Sequence, residues 1–444
     1  MRGINRWIGG GATRRTVLKG LGAGAVATAA GTRWGKVYAG SEVTLNLLLS
    51  NMPWCEALTS TISEEYNKAT NGRVSVTGDL TPYESHYEKI VLELSSQSPT
   101  YDVVTSDCFW VRQWMTNNWV MSTDDMAAAN PDLPKIKYDN LYHAARIYQQ
   151  YQGKSWGIPG NMSTPIFVWR KDLLEKAGIE KEPRNWAEYL AAAKAMKTDE
   201  VGGAMMLLGG QDSCMGDFLS RVMGRVEAKS PGDDFILSED NEPIFDQNDG
   251  AEIAIEQMKE LVPYCPKGVF NFDYPEASSV MQSGGSAMLV CWIDIMPGFE
   301  TSPLAGKFGY TVAPADVYQQ QMVGGWSMLI NAASAQTEEA YRFLAWLADG
   351  KGFEMMRDYG ETSLVYVPDL ENKEITSKIP SLGVFDDFKK YDTKWAALFP
   401  YRVVNADQCQ RTMYEEVIAA ISGDKPTKQA LTDAKDRLWK LLKG

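Results

Sequence analysis

Several loops of this 444-residue chain follow short apolar segments and carry aromatic rings beside acids. Trp54 follows the first such segment, Tyr83 the second, and Asp107, Phe109 and Trp110 the third. Further along, Trp292 and Asp294 follow the apolar run 287–291, and Trp326 follows the pair Gly324-Gly325. Flat rings offer stacking faces, and carboxylates accept hydrogen bonds, so these residue types suit capture of a hydroxylated molecule. Each also has a plainer role: Trp54 as a core tryptophan, the glycine pair as a simple turn. Motifs for covalent chemistry are missing, with no G-x-S-x-G, no H-E-x-x-H and no phosphate loop. The two histidines, His86 and His143, leave multi-histidine zinc, copper and haem chemistry almost nothing to work with. Six cysteines, at 55, 108, 214, 265, 291 and 409, show no C-x-x-C or iron-sulfur spacing, so no cofactor is expected. Acids are plentiful, and a glycosidase working through two carboxylates stays open as an alternative.

The length is about three times that of a usual single domain, which points to two packed domains. The 44% hydrophobic and 23% charged residues are those of a soluble globular protein. A net charge of −13 has the wrong sign for wrapping a phosphate backbone or lying on an anionic membrane, so no nucleic acid is expected as a partner.

Residues 1–39 read as an export signal. Arg2, Arg6, Arg14, Arg15 and Lys19 precede an uncharged Gly/Ala-rich run from Gly20 to Thr32, too short and weakly apolar to span a bilayer. Thr13-Arg14-Arg15-Thr16-Val17-Leu18-Lys19 resembles the twin-arginine export motif, with Val17 where Phe is usual. Cleavage is expected after Ala39, with Val37 two residues before it, giving a free periplasmic protein exported by the Tat machinery. Seven of the 44 basic residues and no acid lie in this segment, which leaves 37 against 57 and a mature charge of −20. In an oxidising compartment six cysteines permit up to three disulfides in fifteen pairings, or buried free thiols.

The loops must be held by the elements before them. Val43 to Leu49 predicts a buried strand, and Leu58, Ile62, Tyr66 and Ala69 a helix that Gly72 ends. Arg73 to Thr77 predicts a second strand, Tyr87, Ile90, Val91 and Leu94 a second helix, and Asp102 to Thr105 a third strand. Such alternation implies parallel βαβ units, whose ligands sit beyond the carboxyl ends of the strands. Ile166 to Trp169 reads as another strand, and Asn185 with Glu188 as a capping box opening a helix. Helical stripes follow at Ala254 to Val262, Ala340 to Leu347 and Leu431 to Leu441, with no repeat and no linker. An α/β chain of two lobes joined by several crossings fits this better than beads on a string.

Four stretches together resemble extracellular solute-binding proteins of family one, the maltose- and polyol-binding type that serves ABC importers. They are Glu42-Val43-Thr44-Leu45 with Ser63 to Gly72; Tyr101-Asp102-Val103-Val104 with Trp114 and Trp119-Val120; Gly153-Lys154-Ser155-Trp156-Gly157-Ile158-Pro159 continuing into Val168 to Leu174; and Gly285-Ser286-Ala287-Met288 through Pro314 to Gly324-Gly325-Trp326 and Ile330 to Ser334. The resemblance implies a hinged two-lobed periplasmic-binding-protein fold of type II, each lobe a central sheet flanked by helices. Lobe one would hold 40–160 and 314–350, lobe two 161–313 and 351–444, with the ligand cleft between them.

By the same resemblance the protein binds a sugar or polyol without turning it over and delivers it, as a monomer, to ABC transporter permease subunits. Implied cleft residues past the hinge are Asn161 and Ser163, although Ser163 stands where relatives commonly have glutamate. Asp212 follows an apolar strand where relatives place a ligand-contacting acid; a helix N-cap for the segment from Cys214 is its other reading. Arg402 and Asn405 lie in an irregular stretch where relatives carry cleft residues, with solvated arginine as the plain alternative. A receptor for a polyamine or other small solute would need an acid-lined aromatic slot, and a periplasmic glycoside hydrolase is the alternative of another class.

Overall fold

Eight residues of alternating pleat, Val43–Ser50, form the central parallel strand of a six-stranded sheet. Leu45, Leu47, Leu48 and Leu49 have no exposure, as expected of a strand covered on both faces. It pairs in parallel with Val74–Thr81 on one side and Val103–Asp107 on the other. Trp326–Ile330 returns antiparallel to Val103–Asp107, and Ile158–Pro159 closes that edge. The computed structural model describes residues 33–34, 40–228, 234–238 and 240–443. Apart from the Arg33–Trp34 backbone, which pairs with Gly78 and Asp79, the expected export signal and its cleavage after Ala39 lie outside the described residues.

Helices Pro53–Thr59, Thr61–Ala69, Tyr83–Ser95 and Thr337–Ala348 pack around this sheet. The single helix expected from Leu58 to Ala69 is broken at Ser60, whose backbone leaves the helical region and whose Oγ donates to Glu56 O at 2.7 Å. Asn71 and Gly72, both at positive φ, turn the chain into the next strand. Lys351–Asp358 packs on the same helices.

The second sheet is different in kind. Pro165–Arg170 lies between Met288–Trp292 and Phe308–Val312, antiparallel to both, where parallel units were expected throughout. The apolar stretch before Gln211, expected as a strand, forms only isolated bridges, Gly202 to Ser286 and Met205 to Leu289. Helices Trp186–Met196, Gln211–Val222, Gly250–Leu261, Ala406–Ser422 and Thr427–Lys443 complete this half. Asn185 caps the first of these by accepting from Glu188 N at 2.9 Å, but Glu188 reaches back to Arg184 N, one residue short of a full box. The complete box is at Asp273 and Glu276.

Two crossings run side by side between the halves, 160–165 and 323–326, tied by Ser163 and Gly324 exchanging backbone hydrogen bonds of 3.1 and 2.7 Å. Gln320–Val323 continues this seam in parallel with Lys394–Ala397. All six cysteines are buried and unpaired, which decides the disulfide question in favour of free thiols. Burial pushes Cys265 and Cys409 up to about 12, the behaviour of inert core thiols. No helix among the described residues is long and apolar enough to cross a membrane.

Candidate functional site: an aromatic and acidic seam between the sheets

Asp107 ends its strand at the carboxyl edge, in register with Trp326 of the neighbouring strand. Its Oδ1 accepts from Phe109 N at 3.1 Å, which shapes the turn and sends Trp110 back over the sheet edge. Tyr83 opens its helix beside them. Its ring centroid lies 5.4 Å from Trp110 and 5.9 Å from Trp326, and the two tryptophans meet edge to face at 5.7 Å. The result is a three-ring cluster in which Tyr83 is 41% exposed and both tryptophans about 7%. His86 lies behind Trp110 and Trp326, its Nε2 2.9 Å from Thr105 O, and burial lowers it to about 4, so it stays neutral at pH 7.

The second sheet answers with a relay. Trp292 ends its strand and donates from Nε1 to Tyr274 Oη at 2.7 Å; Tyr274 in turn donates to Asp212 Oδ2 at 2.7 Å. Gln410 donates to Asp212 Oδ1 at 3.3 Å and accepts from Gln211 Nε2 at 2.9 Å. The N-cap reading of Asp212 is corrected: the helix starts at Gln211 after Gly210, so Asp212 lies in its first turn with its carboxylate turned to Tyr274 and Gln410.

At the crossing itself Ser163 Oγ donates to Asp294 Oδ1 at 3.0 Å. Gly324 lies against Trp292, where a Cβ would come 3.1 Å from the ring. Gly325 has φ +133 and a Cβ there would lie 2.6 Å from Asn161 O. The pair is therefore required by close approach of ring and backbone, and not only by a turn. Asn161 Oδ1 accepts from Trp326 N at 2.9 Å, while its Nδ2 is buried without a partner.

The carboxylates sense one another across the seam. Burial, with the charge of Asp212 added, pushes Asp107 up to about 7. Burial likewise raises Asp212 against the hydrogen bonds of Tyr274 and Gln410, and raises Asp294, to which Asp212 adds. Glu361, 7% exposed and pushed up to about 7 by burial, feels Asp294 in turn.

Not every expected residue joins this group. Trp54 is corrected to a core residue: it has no exposure and packs so tightly on Gly160 that a Cβ there would lie 2.4 Å from the indole. Arg402 donates to Leu237 O and Ser238 O at 3.0 and 3.1 Å, and Asn405 to Leu441 O at 3.0 Å, so both hold the chain's own backbone. Asn405 immediately precedes the helix Ala406–Ser422. Phe109 takes part through its N–H, its ring being 6% exposed. The expectation missed Tyr274, Gln410 and Glu361; only Tyr274 left a local trace, in the Asp273-Tyr274-Pro275-Glu276 helix start. Among the described residues no three His, Cys, Asp or Glu side chains are grouped as metal ligands.

Asp107 carries a pH signature. Its folded-state pKa of about 7 lies above the ordinary carboxylate range of ~4, so between those values the folded state binds more protons than the unfolded one. Its contribution to stability therefore falls as pH rises through that window. Asp107→Asn removes this loss, and the melting point of the unliganded variant minus that of the wild type is expected to grow by about 1–4 °C from pH 5 to pH 8. A difference that stays constant with pH would contradict the assignment.

A family model described as bacterial extracellular solute-binding protein matches residues 56–352, more than half of the chain. A probable amino-acid ABC transporter periplasmic-binding protein of Sinorhizobium fredii is 24% identical over 420 residues, covering 92% of this chain and 91% of that one. A mannitol-binding protein of Pseudomonas aeruginosa is 21% identical over 273 residues, 58% of each chain. Among solved structures, a solute-binding protein of Agrobacterium radiobacter K84 in complex with ribitol superimposes with TM-score 0.75 at 22% identity, over 90% of this chain and 99% of that one. Maltose-bound MalE3 of T. maritima gives 0.74 at 19% identity, over 90% and 100%. These likenesses fix the fold as the two-lobed periplasmic-binding type.

Proposed function

Because the chain belongs to the bacterial extracellular solute-binding protein family, we propose that it captures a carbohydrate or polyol between its lobes and presents it to the permease of an ABC importer. The observation that carries this reading is the placement of Tyr83, Trp110 and Trp326 at the edge of the first sheet and of Asp212, Tyr274, Trp292 and Asp294 beside the second, on either side of a crossing where Ser163 is bonded to Asp294 and Gly324 lies against Trp292. Ring faces suit the apolar faces of a sugar, and the carboxylates suit its hydroxyls. The mannitol of one relative and the ribitol and maltose of two structural neighbours lend support, whereas the relative matched over 92% of this chain is named for amino acids.

Lobe one is proposed to be 40–160 with 314–350, and lobe two 161–313 with 351–444, hinged at the paired crossings around Ser163 and Gly324. The ligand-binding set then comprises Tyr83, Asp107, Trp110, Asn161, Ser163, Asp212, Tyr274, Trp292, Asp294 and Trp326. A ligand touching both lobes favours the closed arrangement because only there does it make both sets of contacts. In this reading the protein acts as a monomer in the periplasm, exported by the twin-arginine route with cleavage near Ala39, and it has no catalytic role. The hydrolase alternative is not favoured.

Thermal-shift screening of the purified mature protein against sugars, sugar alcohols and amino acids tests the reading. A ligand at about a hundred times its dissociation constant adds about 2.7 kcal/mol, a visible shift. Small-angle scattering with the hit is expected to show compaction. Stabilisation by none of the sugars or polyols, or product formation from a glycoside, would overturn it.

A further inference from the structure

The partners of the seam carboxylates are all neutral. Asp107 is met by Phe109 N, Asp212 by the Tyr274 hydroxyl and the Gln410 amide, and Asp294 by the Ser163 hydroxyl. Of the arginines nearest in sequence to the site residues, Arg112 lies over the Tyr151 ring at 4.2 Å and Arg402 donates from Nη2 to the Leu237 and Ser238 carbonyls, the Nε of each being buried without a partner, and Arg411 faces Asp407 at 3.7 Å. Three acids from both sides of the seam thus have neutral groups as their hydrogen-bond partners.

Two further features point the same way. The Trp326 ring stands at 78° to Tyr83 and 86° to Trp110, with Tyr83 and Trp110 tilted by 37°, and an electron-rich face left free at such a cluster attracts a cation. Asn161, 2% exposed and held to Trp326 N through its Oδ1, has an Nδ2 without an acceptor beside that ring. A buried donor of this kind costs free energy until something accepts from it, and a ligand hydroxyl would. A neutral sugar would use the hydroxyl acceptors but leave the acidic charge uncompensated.

We propose that the ligand carries a protonated amine as well as hydroxyl groups, an amino sugar or amino polyol, with the amine between the carboxylates of Asp107, Asp212 and Asp294 and against the ring cluster. This rests on the carbohydrate-receptor reading and narrows it. Matched pairs test it: calorimetric titration of the purified protein with D-glucosamine against D-glucose, and with 1-amino-1-deoxy-D-glucitol against D-glucitol, alongside ribitol, maltose, putrescine and spermidine. The amine is expected to bind at least about tenfold tighter than its hydroxyl partner in one pair or more. In Asp107→Asn and, separately, Asp294→Asn, that ratio is expected to fall towards one even where both members weaken; the second variant stands in if the first does not fold.

Neutral sugars or polyols binding as tightly as or tighter than their amines would overturn the amine proposal and leave the receptor reading intact. Binding of putrescine or spermidine with no carbohydrate bound would keep the cation and remove the carbohydrate. Binding of nothing in the panel would remove both. Ratios unchanged in both aspartate variants would also overturn the placement of the amine.

Discussion

Trp326→Ala is expected to weaken binding of the sugar or polyol found by screening by about a hundredfold or more, roughly 2.7 kcal/mol or above. The residue stands at the meeting point of everything the seam brings together. Its backbone N–H is held by Asn161 Oδ1 at 2.9 Å and its carbonyl by Gly160 N at 2.7 Å, so the ring is aimed by both flanks. That ring touches Trp110 and Tyr83, the only large aromatic faces described on this side of the seam that are packed with it besides His86. Alanine removes a stacking face and also loosens the remaining two rings. At 7% exposure the truncation costs about 3–5 kcal/mol of stability as well, so melting point and affinity are measured together. Trp326→Phe separates the effects: it keeps a face, and its affinity is expected within about tenfold of wild type. An affinity for Trp326→Ala within threefold of wild type would remove this residue from the site.

A large effect on folding is also expected at Arg221, near the end of the helix Gln211–Val222. Its Nη2 and Nε lie 3.1 and 3.2 Å from Asp217 Oδ1, with both side chains 3% exposed, and its guanidinium sits 3.9 Å from the Trp186 ring centroid. Arg221→Ala strands a buried carboxylate and removes the stacking partner of Trp186. A loss of about 3–5 kcal/mol follows, the usual result of breaking a buried pair from one side. Burial already holds the Asp217 pKa up against the pull of Arg221. Without that pull it rises further, so the deficit of the variant is present at neutral pH and shrinks as pH falls and the acid protonates. Arg221→Met combined with Asp217→Leu is expected to recover most of the lost stability, because two apolar groups of similar volume leave no charge behind. Thermal midpoints of the single and double variants at pH 5 and pH 8 decide this; a single variant within about 1 kcal/mol of wild type would contradict it.

Much of the first lobe was legible because its signals are local. The leucine-rich stretch from Val43 to Leu49 reads as a buried strand, and a strand of that kind implies parallel neighbours and a ligand edge at its carboxyl end. Asp107 and Trp110 were found by that rule, since a strand end is visible in the residues that make it, whereas Trp326, which begins its strand, was named from the Gly324-Gly325 pair before it. Ser163 and Asp294 were named separately, and their hydrogen bond needed two distant loops to meet. The antiparallel second sheet escaped notice because its three strands are separated by more than a hundred residues or follow irregular chain, and periodicity carries no pairing.

What the amino-acid sequence determined by itself is the α/β class, the carboxyl-edge loops and the family, all properties of contiguous stretches read in order. Tertiary structure alone decided which polar groups are spent. Asp212 is held by Tyr274, 62 residues away, and by Gln410, 198 away; Arg402 Nη2 and Asn405 Nδ2 are bonded to the carbonyls of Leu237, Ser238 and Leu441; Trp54 is sealed beneath Gly160; six cysteines stay apart. The physical reason is that a side chain's availability depends on the partners packing brings to it, and a residue's type and neighbours in the chain do not specify those partners.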